Sequence, residues 1–267
     1  MKLTFLGTGG GRFDMIEQVR QTGGFVLEKD DAMVAVDPAP GALVYGKKNG
    51  IDFRELDAIF VSHLHLDHQG DAEVLIEAMT DGCKEKRGKL ITTEQVLEGP
   101  GDDVPYISNY HKECVDELLT PSRDEKVDVN GLEIEITETY HEEGTETIGF
   151  KVGTKDGKIG YIADTEYDKR IIDQYEDCKY LVINVLRPYT NSWEGHLNLK
   201  DGARLVEEIE PEKAIFQHFG LRFAYKFRDQ IEWLEENAED LPITLTSDNK
   251  AYKLGEEESA GLGKFTD

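Results

Sequence analysis

The chain has 267 residues, of which 39% are hydrophobic and 32% are charged, a composition typical of a soluble globular protein. No run approaches the ~20 apolar residues of a membrane span, and the apolar run after Met1 is too short for a signal peptide. From these two features we expect a cytoplasmic protein with no membrane contact. The net charge of −25 opposes binding of large nucleic acids, so we expect a small substrate.

Apolar runs bounded by turn residues predict the elements of the first half. Strands are expected at 2–6, 24–28, 33–37 and 57–62, followed by helices at 71–80 and in CVDELL at 114–119. The three cysteines, Cys83, Cys114 and Cys178, form no CxxC pair, and we expect all three to be reduced and without a chemical role.

A second group of strands begins near residue 132. Strands at 132–139, 147–152 and 158–164, with turns at 130–131 and 156–157, predict a meander. A strand at 179–184, a helix at 200–210, a strand at 214–218, a helix at 222–237 and a closing pair of strands at 243–247 and 250–254 follow, with a frayed tail from Gly255. Two clusters of strands predict two sheets packed together with helices outside, in a single domain over 1–267.

Residues 61–70 read VSHLHLDHQG and hold three of the seven histidines. His63 and His65 lie on the same side of an extended segment, because side chains alternate with a period of two. Asp67 and His68 follow where the chain must turn, and therefore face a neighbouring position. This spacing suits two adjacent metal ions, as in hydrolases whose ions lie ~3.5–4 Å apart. The alternative is a polar loop that binds metal only adventitiously.

Three more potential ligands lie where predicted strands end: His141, Asp164 and His218. Layered folds often place functional residues at such positions. Each residue taken alone is explained as a turn residue, but together with the histidine loop they favour a metal site.

The HLHLDH motif, with an ordered downstream His, Asp and His, resembles the metallo-β-lactamase superfamily, from FLGTGGG at 5–11 to QHFG at 217–220. The resemblance implies an α/β (α+β) fold, a four-layer αββα sandwich with a dimetal site along one edge of its two sheets. It implies two divalent metal ions, with zinc as the expected metal and manganese or iron as alternatives. The implied ligands are His63, His65 and His141 for one ion, Asp67, His68 and His218 for the other, and Asp164 as the bridge.

FLGTGGG and GHLNLK (195–200) resemble the branch of ribonuclease Z and cyclic-phosphate phosphodiesterases. That resemblance makes His196 a phosphate contact or general acid; the alternative is a helix-capping segment with an exposed histidine. The segment from His141 to Asp164 is too short for the tRNA-binding arm of ribonuclease Z, and 184–195 differs from its His-Glu stretch. An Asp at the bridging position, where the lactamases proper carry cysteine, argues against antibiotic hydrolysis.

Other residues near these motifs remain open. Asp37 is either a turn residue or a hydrogen-bond partner of a metal ligand, and Arg187 either meets an anionic substrate or forms a surface salt bridge. The glycines at 7–11 do not match G-x-G-x-x-G, because Arg12 occupies its last position. We expect them to let the loop pass close to the metal site.

These features together predict a dimetal-dependent hydrolase acting on a phosphodiester of a small molecule or nucleotide. Its ions would share a water, lower its pKa and present hydroxide. Asp67 would orient that water or accept its proton, and His196 would protonate the leaving oxygen. The alternatives are an ester, thioester or lactone hydrolase on the same ions, and a non-hydrolytic di-iron redox or sensing protein. The resemblance also allows a homodimer, although no interface stripe is visible.

Overall fold

Two seven-stranded sheets form the centre of the protein in a computed structural model that describes residues 1–101 and 104–255. The first sheet contains β1 (Lys2–Phe5), β2 (Phe25–Lys29), β3 (Ala32–Val36), β4 (Ala58–Phe60), β5 (Lys89–Ile91), β6 (Glu117–Leu119) and, beside β1, β14 (Ala251–Lys253). The second contains β7 (Lys126–Val129), β8 (Leu132–Glu138), β9 (Ile148–Gly153), β10 (Lys158–Ile162), β11 (Tyr180–Asn184), β12 (Lys213–Gln217) and β13 (Ile243–Leu245). The strand orders are β14-β1-β2-β3-β4-β5-β6 and β13-β12-β11-β10-β9-β8-β7.

Helices connect the strands. They are α1 (Gly11–Glu17), α2 (Ala42–Lys48), a 3₁₀ turn (Phe53–Glu55), α3 (Leu66–Gln69), α4 (Ala72–Met79), α5 (Glu94–Glu98), α6 (Asn109–Cys114), α7 (Lys169–Tyr175), α8 (Leu199–Ile209), α9 (Leu221–Tyr225) and α10 (Phe227–Asn237). No helix in the described part of the chain is long and apolar enough to cross a membrane.

The strand residues alternate between two hydrophobic layers. In β3, Val34 and Val36 face the core between the sheets, whereas Ala35 packs with the helices outside the first sheet. In the second sheet Val182 faces the central core, while Leu181 and Ile183 join the outer cluster. Helices, two sheets and helices thus form four layers, which confirms the predicted αββα sandwich.

Strand direction brings the loops of interest to one edge. β8, β10, β11 and β12 run the same way, since β8 and β9 and then β9 and β10 are antiparallel, and the next two pairings are parallel. In the first sheet β1, β3 and β4 likewise share one direction. The segments that follow these strands contain every candidate ligand.

Three expectations about elements are changed. CVDELL is not a helix: α6 ends at Cys114, and Glu117–Leu119 pairs with β5, because a short apolar run fits an edge strand equally well. The helix predicted over 222–237 divides at Lys226, where the backbone leaves helical geometry. The closing strands do not pair with each other: β13 joins β12 and β14 joins β1. The tail after Gly255, expected to be frayed, lies outside the described residues.

The expectation of three reduced cysteines is wrong for two of them. Cys83, after α4, and Cys114, at the end of α6, form a disulfide, with their Cα atoms 5.1 Å apart. The contact between α4 and α6 brings them together across 31 residues of sequence, a separation that carries no local signal. Cys178 is free and buried.

Candidate metal centre

Three histidines converge at the shared edge of the sheets. The Nε2 atom of His63 lies 3.0 Å from Nδ1 of His65, which lies 3.1 Å from Nε2 of His141. Burial lowers the pKa of His63 well below its ordinary value and lowers the pKa of His141 to about 4. These rings are therefore neutral near pH 7, the form in which imidazole binds a metal ion.

A second cluster adjoins the first. His65 precedes α3, and the helical turn carries Asp67 and His68 toward His218, whose Nε2 atom lies 3.2 Å from Oδ2 of Asp67. Asp164 lies between the clusters, with Oδ2 3.4 Å from Nε2 of both His68 and His218. The potential ligand atoms lie within 4.8 Å of one another in each of three groups: His63, His65 and His141; His63, His68 and Asp164; Asp67, His68 and His218. All seven predicted ligands are thus brought together; the role of Asp164 as a bridge between two ions remains a prediction.

The electrostatics of the second cluster favour a cation. Burial alone would raise the pKa of Asp164, but the charges of His218 and His68 keep it well below its ordinary value. Burial would likewise lower the pKa of His218, but Asp164 raises it to about 9. In the metal-free protein the carboxylates thus retain their charge and hold protons on nearby rings, and a bound metal ion would take the place of those protons.

The donor atoms fit metal ions. The Nε2 atoms of His68 and His218 are buried and have no hydrogen-bond partner among the described residues. Ring nitrogens and carboxylate oxygens are ligands that suit zinc and also manganese or iron. We conclude that this cluster could hold metal ions; their number and identity remain predictions.

Asp37 fixes the orientation of His68. Its Oδ2 atom accepts hydrogen bonds from Nδ1 of His68 at 2.9 Å, the Ser62 hydroxyl at 2.8 Å and the Tyr161 hydroxyl at 2.5 Å. Its Oδ1 atom accepts from the backbone N–H of Ser62 at 2.6 Å. A ligand histidine commonly donates its second ring N–H to a carboxylate, and this hydrogen bond turns Nε2 of His68 toward the cluster. Of the two hypotheses for Asp37, the hydrogen-bond partner is the one the structure supports.

Further supporting residues were missed by sequence reasoning. The Nδ1 atom of His141 donates to the carbonyl of Gly195 at 2.8 Å. Asn184 donates to Oδ1 of Asp164 at 2.8 Å and accepts from Gln217 at 3.0 Å. Asn184 and Gln217 are the last residues of β11 and β12, so a polar residue ending a buried strand was an available signal.

The glycine loop after β1 passes close to the cluster, as expected. A Cβ atom on Gly10 would lie 2.3 Å from the ring of His218, so only glycine fits there. The N–H of Gly11 donates to Oδ2 of Asp67 at 2.6 Å.

His196 lies beside Asp164. Its Nε2 atom is 3.4 Å from Oδ2 of Asp164, and its Nδ1 atom donates to the carbonyl of Glu194 at 2.9 Å. The capping function belongs to Asn198, which accepts from two N–H groups of α8. Because the His196 side chain is only 9% exposed, the alternative of an exposed histidine does not fit. Glu142, which sequence reasoning missed, lies within 4.8 Å of His141 and His196.

A cleft of about 800 Å³ opens onto this centre. Its lining includes Asp67, Asp164 and His196, together with Arg187 and Trp193. The guanidinium of Arg187 packs over the Trp193 ring at 4.5 Å. Arg187 forms no ion pair within residues 1–101 and 104–255, so the predicted alternative of a surface salt bridge is not observed there.

Residues 33–219 match the family described as Beta-lactamase superfamily domain. The chain belongs to this superfamily. Uncharacterized protein MJ1374 of Methanocaldococcus jannaschii is 32% identical over 249 residues, covering 92% of this chain and 93% of that protein. The cAMP/cGMP-dependent 3',5'-cAMP/cGMP phosphodiesterase B of Dictyostelium discoideum is 28% identical over 179 residues, covering 66% of this chain and 15% of that protein. The metallo-beta-lactamase fold protein YhfI of Bacillus subtilis has a similar structure, with a TM-score of 0.76, 17% identity, and coverage of 94% of this chain and 98% of that one.

The predicted placement in the metallo-β-lactamase superfamily is thereby confirmed. Membership also supports the coarser functional prediction, that this superfamily member is a metal-dependent hydrolase with a His/Asp cluster able to bind metals. The roles of individual residues and the bond that is cleaved remain proposals.

Proposed function

We propose that the protein hydrolyses a phosphodiester of a small molecule or nucleotide with two divalent ions, zinc first among them. The observation that carries the proposal is the position of the His196 ring, which shares one cleft with Asp164 and Asp67. The similarity to a cyclic-nucleotide phosphodiesterase over 66% of the chain supports the same class of bond. When bound, such ions lower the pKa of a water molecule and stabilise charge on phosphoryl oxygens.

Asp67 would act on the attacking water. The charges of His68 and His218 overcome the effect of burial and keep the pKa of Asp67 below its ordinary value, so the carboxylate stays ionised. Its Oδ2 atom is held by the N–H of Gly11. A fixed, ionised carboxylate can orient a water molecule and accept a hydrogen bond from it.

His196 would act on the leaving group. Since Nδ1 donates to the Glu194 carbonyl, Nε2 is the nitrogen turned toward Asp164 and the cleft. In the protonated ring Nε2–H can give its proton to the departing alkoxide oxygen while Nδ1–H keeps its hydrogen bond.

Metal content and turnover of bis(p-nitrophenyl) phosphate test this proposal. We expect about two zinc or manganese ions per chain and turnover that falls by about 10²–10⁴ in Asp67→Ala and His196→Ala. His111→Ala is the matched control, because His111 lies away from the cleft and contacts Glu73 and Glu77. If Asp67→Ala binds the full number of ions and has the turnover of the wild type, the role assigned to Asp67 is refuted. If the protein binds two ions and hydrolyses esters or thioesters but not phosphodiesters, the carboxyl-ester alternative replaces this proposal.

A further inference from the structure

The cleft holds three arginines, Arg12, Arg187 and Arg222, in a protein with 55 acidic and 30 basic residues. Of the seven arginines outside the cleft, the half-buried Arg20 donates to the Thr8 hydroxyl and the other six pair with carboxylates, among them Arg54 with Asp52, Arg170 with Asp168, Arg204 with Glu208 and Arg228 with Glu232. Across the described ranges, none of the three cleft arginines forms an ion pair. The cleft therefore contains three arginines without a carboxylate partner in the described chain, although its lining also includes Asp14, Asp67, Glu142 and Asp164.

Arg187 and Arg222 belong to two adjacent segments of the cleft, since the N–H of Gly220 donates to the carbonyl of Leu186 at 3.0 Å. Burial lowers the pKa of Arg187 below its ordinary value, and the nearby charge of Arg222 lowers it further. The Nε–H of Arg187 is buried and has no hydrogen-bond partner among the residues described. A buried donor without a partner and two neighbouring like charges both destabilise a protein. An anionic ligand bound by both side chains would satisfy the donor and balance the two charges.

The backbone and an aromatic ring hold Arg187 in place. Its N–H donates to the carbonyl of Leu197 at 3.1 Å, and its carbonyl accepts from the N–H of Leu199 at 3.0 Å. Its guanidinium lies over the Trp193 ring. A planar guanidinium fixed in this way is preorganised for a group with several acceptor oxygens.

The pair lies in the same cleft as the metal centre but at a separate position along the chain. Arg187 follows Asn184, which ends β11 and binds Asp164, and Arg222 lies in α9, beyond His218. In the part of the chain that the structure describes, neither guanidinium contacts a predicted ligand. A substrate that fills the cleft can therefore place one anionic group at the centre and another at the arginines.

We infer that the substrate carries, besides the phosphodiester that is cleaved, a second phosphoryl group that Arg187 and Arg222 bind. This inference rests on the proposed phosphodiesterase function. A phosphate monoester has a charge of about −1.5 to −2 at pH 7, which matches two guanidinium groups, and its oxygens suit their paired N–H donors. The exposed rings of Phe13 and Trp193, at 68% and 55%, offer apolar surface to the organic part between the two phosphates.

Two chromogenic phosphodiesters that differ in one group test the inference: thymidine 5'-(p-nitrophenyl phosphate), with and without a 3'-phosphate. For the wild-type holoenzyme we expect kcat/KM to be at least tenfold higher with the 3'-phosphate. In Arg187→Gln and Arg222→Gln that ratio should fall at least tenfold. Arg228→Gln is the matched control, because this arginine is 90% exposed and pairs with Glu232 outside the cleft; its ratio should equal that of the wild type.

A wild-type ratio near one, or a ratio that the two cleft variants leave unchanged, would overturn the inference while the phosphodiesterase proposal stands. If neither compound is cleaved, the proposed function fails instead. Calorimetry of the same two compounds with the wild type and the three variants then tests whether the arginines bind a second phosphoryl group. At least tenfold tighter binding of the 3'-phosphate compound, lost in Arg222→Gln, would support the second anion site, and equal affinities would refute it.

Discussion

Asp37 supports the candidate centre without being a predicted ligand, and the effect of replacing it by asparagine can be estimated from its four hydrogen bonds. With the amide oxygen at the position of Oδ2, the three donors from His68, Ser62 and Tyr161 keep an acceptor. The amide NH₂ then takes the position of Oδ1 and faces the backbone N–H of Ser62, so that one donor meets another in a buried site.

The unpaired donors cost about 1–3 kcal/mol, and loss of the carboxylate charge weakens the remaining hydrogen bonds by about 1 kcal/mol or more. We therefore expect Asp37→Asn to lower the free energy of unfolding by about 2–4 kcal/mol. We also expect zinc affinity to fall by about 10–100-fold, because His68 loses the carboxylate that orients it.

Urea denaturation of the chelator-treated protein measures the first effect, and competition with a chromogenic chelator measures the second. Asp124→Asn is the matched control, since Asp124 also has a left-handed backbone (φ 66° against 47° for Asp37) but a side chain that is 77% exposed. If Asp37→Asn has the same denaturation midpoint and the same zinc affinity as Asp124→Asn, the reasoning is refuted.

Other parts of the structure give further expectations. Gly10→Ala should reduce turnover at least tenfold, because the new methyl group would meet the His218 ring, whereas Gly153→Ala, with open space around its Cβ, should match the wild type in the same assay. Replacing Cys83 and Cys114 by serine should lower the free energy of unfolding by about 3–4 kcal/mol, the loop-closure effect of their disulfide, measured by urea denaturation with and without a reductant. The last of these expectations concerns pH. Burial alone would lower the pKa of His218, but the neighbouring carboxylates raise this pKa to about 9 in the metal-free protein. The stabilisation by this protonated ring, about 3 kcal/mol, should be complete below about pH 6.5 and lost as the pH rises through 9, which denaturation at pH 6.5 and 9.5 tests.

Much of the site could be predicted because ligands and strands leave strong local signals. HLHLDH follows directly after the short apolar strand β4, and His141, Asp164 and His218 each follow a strand that runs in the same direction. Alternating or continuous apolar runs were sufficient to place these strands, and strand direction then brought their ends together.

The supporting network could not be predicted in the same way, because it depends on which residues face one another across the fold. Tyr161 reaches Asp37 from the opposite sheet, a contact separated by 124 residues. The disulfide likewise depends on the packing of α4 against α6. Arg222 gave no signal, because an arginine at the start of a helix is ordinary until the cleft around it is known.

The acidic composition and the arginines of the cleft act over different distances, and together they favour small anions over large ones. At physiological ionic strength the field of a charge falls off over ~8 Å, so a compact substrate is attracted by Arg187 and Arg222 once it enters the cleft. A polynucleotide would have to lie across the outer surface as well, where a chain with net charge −25 repels its phosphates. Under the proposed function, the net charge therefore does not argue against an anionic substrate; it favours one that the cleft of about 800 Å³ can hold.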